Sequence, residues 1–383
     1  MTLEEILSDE ELRHREFPVT RKKIYLAHAG VCALPQRVIN AIKDYADHTG
    51  TGDQESCCLE SVLTDGRKLA AQLINAQPDE IAFVGPTSLA LSFVASGLSF
   101  RRGDNILIYH DDYPSNVYPW MALAKQGVEV RLMNIRALGV IRPRDVIGQV
   151  DENTRLVALA SCHFVSGWRI DHAAIGAELR KRKILFCLDA IQTLGAFPTT
   201  VENVDMLAAD SHKWLLGPCG AGILYVRKEV QEYLQPPIYG SNNVRSPNYI
   251  AQEQIVFRSG AKRYEPGSYN LLSIVGLNAC IGLALEIGVE NIARELIRKR
   301  AKLVPALQAK GYTILNADAA PENCGGMTTF FKPDTDLPAL HQKLTDANII
   351  TSLRADRKGQ QYIRLSPHFY NTDAELETTL NLL

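Results

Sequence analysis

Lys213 stands at the end of an apolar, strand-like run, Val204-Asp-Met-Leu-Ala-Ala-Asp-Ser-His-Lys-Trp-Leu-Leu-Gly217. An ammonium is costly to desolvate unless it is paired or neutralised, and burial lowers its pKa toward the range where the free amine attacks a carbonyl. Lys213 is therefore a candidate Schiff-base lysine, although a strand-end lysine can also simply reach water through its long stem. A second apolar run, Ile184-Leu-Phe-Cys-Leu-Asp-Ala-Ile-Gln192, delivers Asp189 at its carboxyl end. Ligand crevices of open parallel sheets lie outside the carboxyl ends of the strands, so adjacent runs can present Asp189 and Lys213 to one cavity. An amine for a Schiff base and an acid for a pyridinium nitrogen are the two protein groups a pyridoxal phosphate site most needs. Unit charges about 4 Å apart at an effective dielectric near 20 attract by about 4 kcal/mol, roughly three pKa units. That is enough to keep a ring nitrogen protonated.

Further residues suit the same chemistry. Thr87 and Ser88 precede the helical run Leu89-Ala-Leu-Ser-Phe-Val-Ala-Ser-Gly97, and small hydroxyls with free N–H groups at a helix start hold a phosphate. Plain N-capping is the competing use. Arg364 offers a planar fork for a substrate carboxylate, whose fixation orients the bond to be broken at Cα. Arg354 is a second anion-binding candidate, or a surface arginine in the polar stretch 354–360. Gln192, His163 or Ser166 could donate to the ring hydroxyl oxygen, and His163 could equally be a satisfied buried histidine.

Seven short apolar segments must position these groups: 81–85, 104–110, 129–134, 154–161, 184–190, 206–212 and 221–228. Most are separated by spans long enough for a crossover helix, which predicts an α/β fold with a mainly parallel seven-stranded sheet. The last two are joined by only Trp214–Ala221, so the seventh should return antiparallel. Helical periodicity then runs from about Leu272 to Leu307, interrupted by Gly282 and Gly288. Short strands follow near 312–315, 326–331 and 361–365, with helices at 336–347 and 373–382. The expected division is a large domain, 21–285, and a small α+β domain, 286–383, joined by an N-terminal helix over 1–20.

With 383 residues, the chain is long enough for two cores. A formal net charge of -2 supplies no basic excess for nucleic acid or a membrane surface. The acidic, amphipathic start does not read as a signal peptide, and no apolar run approaches a membrane span. Eight cysteines without a Cys-x-x-Cys pair read as reduced thiols of a cytoplasmic protein. Metal-ligand spacing is absent. Gly217-Pro-Cys-Gly-Ala-Gly222 has the wrong spacing for a dinucleotide turn, and Gly-x-Ser-x-Gly does not occur.

From about Tyr25 to the C-terminus the chain resembles the class V aminotransferase group of fold-type I pyridoxal phosphate enzymes. That group includes cysteine desulfurases, selenocysteine lyases, kynureninases and isopenicillin epimerase-like proteins. Ser211-His212-Lys213-Trp214 resembles its lysine motif and Asp189-Ala-Ile-Gln192 its Asp-x-x-Gln motif. Gly85-Pro-Thr-Ser-Leu-Ala90 is similar to its phosphate turn, with Leu89 where the family has an acidic residue. Asp112-Tyr-Pro-Ser-Asn-Val-Tyr-Pro-Trp120 matches the segment that bears the ring-stacking residue. Arg263–Ser268 and Arg364–Thr372 complete the order. The resemblance implies that Tyr113, where desulfurases carry histidine, stacks on the cofactor ring. It implies that Ser211 and His212 reach the phosphate, and that Ser268 does so from a neighbouring subunit, making the enzyme a homodimer. His28-Ala29-Gly30 is similar to the family's N-terminal substrate loop.

The implied activity is that of an enzyme acting on a small amino acid, most simply aminotransferase-like. A lyase, an epimerase and a catalytically silent binding protein are the alternatives. Desulfurases hold a nucleophilic cysteine on a loop before the carboxylate-binding arginine, but residues 347–363 contain none and Cys324 lies forty residues before Arg364. Persulfide-forming desulfurase chemistry on a protein thiol is therefore not expected.

Overall fold

The computed structural model describes residues 1–55 and 59–383. Two helices, Leu3–Ser8 and Glu10–Glu16, open the chain and precede a short strand, β1 (Ile24–Tyr25). The expected single N-terminal helix is divided because Asp9, in an extended conformation, ends the first helix and caps the second by accepting the Leu12 N–H.

Seven strands build the central sheet: β2 (Ile81–Ala82), β3 (Asn105–Ile108), β4 (Glu129–Leu132), β5 (Thr154–Ala160), β6 (Leu185–Asp189), β7 (Met206–Asp210) and β8 (Gly222–Val226). Their spatial order is β2-β8-β7-β6-β5-β3-β4. The run from β4 to β7 is parallel, whereas β8 is antiparallel to both β7 and β2. Each expected apolar segment holds one of these strands, and the last one turns back as its short connection required. Alternate side chains enter two different cores. Leu107, Val157, Leu159, Phe186, Leu188 and Leu207 pack on one face; Ile106, Ile108, Leu156, Ala158, Cys187 and Met206 pack on the other. A sheet buried on both faces needs continuous apolar runs rather than alternation, which is the pattern of these strands.

The helical stretch after Pro266 is two helices, Leu271–Ile287 and Val289–Ala309, bent by 75°. The break is at Gly288, whose φ of 85° lies in the left-handed region; Gly282 lies inside the first helix. A four-stranded antiparallel sheet follows, built from β9 (Thr313–Ile314), β10 (Thr328–Phe331), β12 (Ser352–Ala355) and β13 (Gln361–Leu365), in the order β12-β13-β10-β9. It has its own core of Leu303, Leu307, Phe330, Leu344, Ile363 and Leu376. Strand β11 (Ile349–Ile350) instead pairs in parallel with β1, tying the N-terminal segment to this half. Among the described residues no single helix is long and apolar enough to cross a membrane. The six described cysteines are free, and Cys57 and Cys58 lie outside the described residues.

Candidate active site

Four neighbouring parallel strands, β3, β5, β6 and β7, end on the same side of the sheet. The segments leaving them carry Tyr113, Phe164, Asp189 and Lys213 into one cavity of about 270 Å³. Thr87, Ser88, Gln192, His212, Ala29, Gly30, Arg354 and Arg364 also line it.

Lys213 is 7% exposed, and its Nζ forms no hydrogen bond or ion pair at bonding distance with any described residue. Burial presses its pKa below the usual lysine range, with the Asp189 charge opposing that shift. Its Nζ lies 5.3 Å from the centroid of the Tyr113 ring, which is half-exposed and braced edge-on by Phe164 at 5.4 Å. Asp189, at the end of β6, accepts the Ile191 N–H at 3.1 Å. Burial and the neighbouring charge of Asp112 push its pKa up. Gln192 donates to the Ala29 carbonyl at 3.1 Å and accepts the Trp214 indole N–H at 2.9 Å, leaving one amide hydrogen to offer.

The helix Thr87–Gly97 begins at the cavity after Pro86 and has no side-chain cap. Its first N–H groups lack intrahelical acceptors and carry the positive end of the helix dipole. The Thr87 hydroxyl accepts the Asp210 N–H at 2.9 Å, and the Ser88 hydroxyl lies 2.8 Å from that of Ser115. His212 Nδ1 is 3.0 Å from the Asp210 carboxylate. An uncapped helix start, a buried amine, a buried acid and a half-exposed aromatic face fit a group bearing a phosphate, a carbonyl and a basic ring nitrogen.

The opposite wall comes from the β12–β13 hairpin. Ser352 faces Arg364 across the strands, and Arg354, two residues along, shares that face. Arg364 is fully buried and donates to the Phe164 carbonyl, yet its Nε has no partner. Burial and Arg354 push its pKa down to about 9. Arg354 donates only to the Leu353 carbonyl, and neither guanidinium has a carboxylate within ion-pair distance among the described residues. A Cβ on Gly30 would lie 3.1 Å from the Ala27 carbonyl and 3.4 Å from Arg354 Nη2, so glycine keeps the space before both arginines open. Beyond Arg354, Arg357 reaches back to the carboxylate of Asp111 and the carbonyl of His110, fastening the hairpin to the segment that bears Tyr113.

Some expected site residues are elsewhere. His163 does not line the cavity: its ring nitrogens meet the Asp111 carbonyl at 3.0 Å and the Ser166 N–H at 3.0 Å, and burial lowers its pKa to about 4. Ser166 is likewise turned away, accepting the Trp168 N–H. Ser211 donates to the Pro218 carbonyl. Ser268 is exposed beside Gly85 and Gly220, in a separate cavity. Phe164, Ser115 and Val31 line the site without having been singled out from sequence. Only the aromatic character of Phe164, next to His163, offered a signal.

A family model described as aminotransferase class-V matches residues 24–378. A probable cysteine desulfurase of Methanothermobacter thermautotrophicus is 29% identical over 95% of this chain and 94% of its own length. The apo cysteine desulfurase of Thermococcus onnurineus superposes with a TM-score of 0.88 at 24% identity, covering 97% of this chain and 96% of that one. The cystine C-S lyase C-DES, complexed with its product cysteine persulfide, gives 0.85 at 22% identity over 95% and 98% of the two chains. A C-DES mutant with glycine covalently linked to its PLP cofactor gives 0.86 at 22% identity, over 96% and 98%.

Proposed function

The chain belongs to the aminotransferase class-V family of pyridoxal phosphate enzymes, and from that premise we propose that it is a C–S lyase acting on cystine or a similar amino acid with a sulfur leaving group on Cβ. The carrying observation is the pair of unpaired guanidiniums, Arg354 and Arg364, on a hairpin that bears no thiol. Two carboxylates on one substrate would relieve the repulsion between them, and bidentate pairing fixes both ends. C-DES, a cystine lyase of the same fold, supports the choice of substrate. The aminotransferase-like expectation becomes the second reading, since a dicarboxylic amino acid would satisfy the same arginines.

The bound cofactor supplies an electron sink for the pair released at the substrate Cα. Lys213 Nζ is the group that would hold the cofactor's carbonyl carbon and, once freed by substrate, would take the Cα proton. Asp189 would hold the proton of the ring nitrogen, Tyr113 would pack on the ring, and the uncapped helix at Thr87 and Ser88 would hold the phosphate with His212. Arg364 orients the α-carboxylate and Arg354 the distal one. The Cβ–S bond breaks with its electrons going to sulfur, which departs as a persulfide. Water then completes the balance, giving pyruvate and ammonium. The hairpin brings no thiol to the site, and Cys32, near the cavity, has its pKa pushed up to about 12 by burial, which leaves it protonated.

We also infer a two-fold dimer in which the exposed Ser268 meets the partner's phosphate turn, and a domain boundary near residue 285, close to the break at Gly288. Free cysteines suit a reducing compartment such as the cytoplasm.

The test is holoenzyme given cystine without any 2-oxo acid. Equimolar pyruvate, ammonium and persulfide sulfur are expected, undiminished in Cys32→Ser, with KM for cystine raised tenfold or more in Arg354→Ala. Turnover that requires a 2-oxo acid acceptor would establish the second reading instead.

A further inference from the structure

Asp112 is a buried carboxylate beside the cavity to which the chemistry above gives no role. It is 7% exposed and forms no ion pair with any described residue. One oxygen accepts the Tyr113 N–H at 2.7 Å. The other accepts the Asn116 side-chain amide at 3.2 Å and the Ala160 N–H at 3.1 Å. Asn116 in turn accepts the Trp120 indole N–H at 3.0 Å. Ala160 ends β5 and is the register partner of Asp189 on β6. The carboxylate is thus clamped between the turn that presents Tyr113 and the strand end next to Asp189.

This placement joins two functions. Three donors converge on a group that, when ionised, only accepts, so the turn bearing Tyr113 is fixed to the sheet. The same group brings a second buried negative charge close to Asp189, and like charges sharing a low-dielectric site raise each other's proton affinity. Burial pushes the Asp112 pKa up to about 6, with the three donors and Lys213 opposing the rise. The charged groups around it are Asp189 and Lys213 from the neighbouring strand ends and, on its own segment, Asp111 paired with Arg357.

We propose that Asp112 is a positioning residue for the cofactor ring: it fixes the Tyr113 turn and, as an anion behind Asp189, strengthens the hold of Asp189 on the ring-nitrogen proton. The proposal rests on the cofactor assignment and not on the lyase reading, so it stands or falls whatever the substrate proves to be.

The experiment uses holoenzyme loaded with cofactor labelled with 15N at the ring nitrogen. In Asp112→Asn the 15N resonance at pH 8 should move toward that of a neutral pyridine, its titration midpoint should fall by half a pH unit or more, and kcat should drop about tenfold with KM within twofold. Asn116→Ala, which removes one donor but keeps the charge, should leave the midpoint in place. An unchanged resonance in Asp112→Asn overturns the proposal, as does an equal shift in Asn116→Ala, which would reduce the effect to turn geometry. If Asp112→Asn binds no cofactor, Asp112→Glu decides: a wild-type resonance supports the proposal and a shifted one refutes it.

Discussion

Two lysines are buried among the described residues, and they differ in what surrounds them. Lys299 has no solvent exposure; it donates to Glu295 one turn earlier on the same helix and to the Phe369 carbonyl at 3.2 Å. Lys213 is nearly as buried but meets a cavity on one side and forms no hydrogen bond or ion pair with any described residue. Burial presses both pKa values down. A depressed lysine pKa therefore does not by itself mark a reactive amine. What distinguishes Lys213 is an unfilled donor facing open space, with the Asp189 charge near but not bonded to it, whereas every requirement of Lys299 is met inside the protein.

The widest separation between the two should appear on removing the amine. Lys213→Ala should lower turnover by on the order of 10³-fold or more while leaving the folded state intact, because a general base and the covalent attachment are lost together. Turnover near the wild-type rate would break the contrast at once. Glu295→Ala should act in the opposite domain of effect: leaving Lys299 buried and unpaired should cost about 3–5 kcal/mol of stability by chemical denaturation. The cofactor spectrum of the folded fraction should stay that of the wild type. A loss of cofactor without a loss of stability would make Lys299 part of the site.

A smaller effect belongs to His163, which also sits with the frame. Its folded pKa is lowered to about 4 from a usual 6.5, so the unfolded chain binds the extra proton as pH falls between those values. The stabilisation from neutral His163 is complete above pH 6.5 and is lost on acidification toward pH 4. His163→Asn should therefore cost more stability at pH 7 than at pH 5, the gap narrowing by about 2 kcal/mol. Its cofactor absorption should not change; an altered spectrum would return His163 to the site.

The strands that carry Asp189 and Lys213 were legible because a sheet buried on both faces must be written in unbroken apolar runs, and a charged residue ending such a run is conspicuous. Strand β12 was not: Ser352 to Ala355 reads as polar because one of its faces holds Arg354 toward the cavity and pairs with β13 for its backbone bonds. His163 was ambiguous for a related reason. Both of its partners, the Asp111 carbonyl and the Ser166 N–H, are backbone groups independent of side-chain type, so no side-chain pattern announces them. The Phe164 carbonyl that receives Arg364 is hidden in the same way. Side chains at strand ends can be read from a sequence, while the main-chain acceptors that orient them emerge only from the fold.

Borohydride reduction of the holoenzyme, followed by digestion and mass spectrometry, puts the contrast between the two lysines to its most direct test. The reduced cofactor should be found on the peptide containing Lys213, with the peptide containing Lys299 unmodified. Cofactor fixed to Lys299, or to any other lysine while Lys213 stays free, would contradict the account.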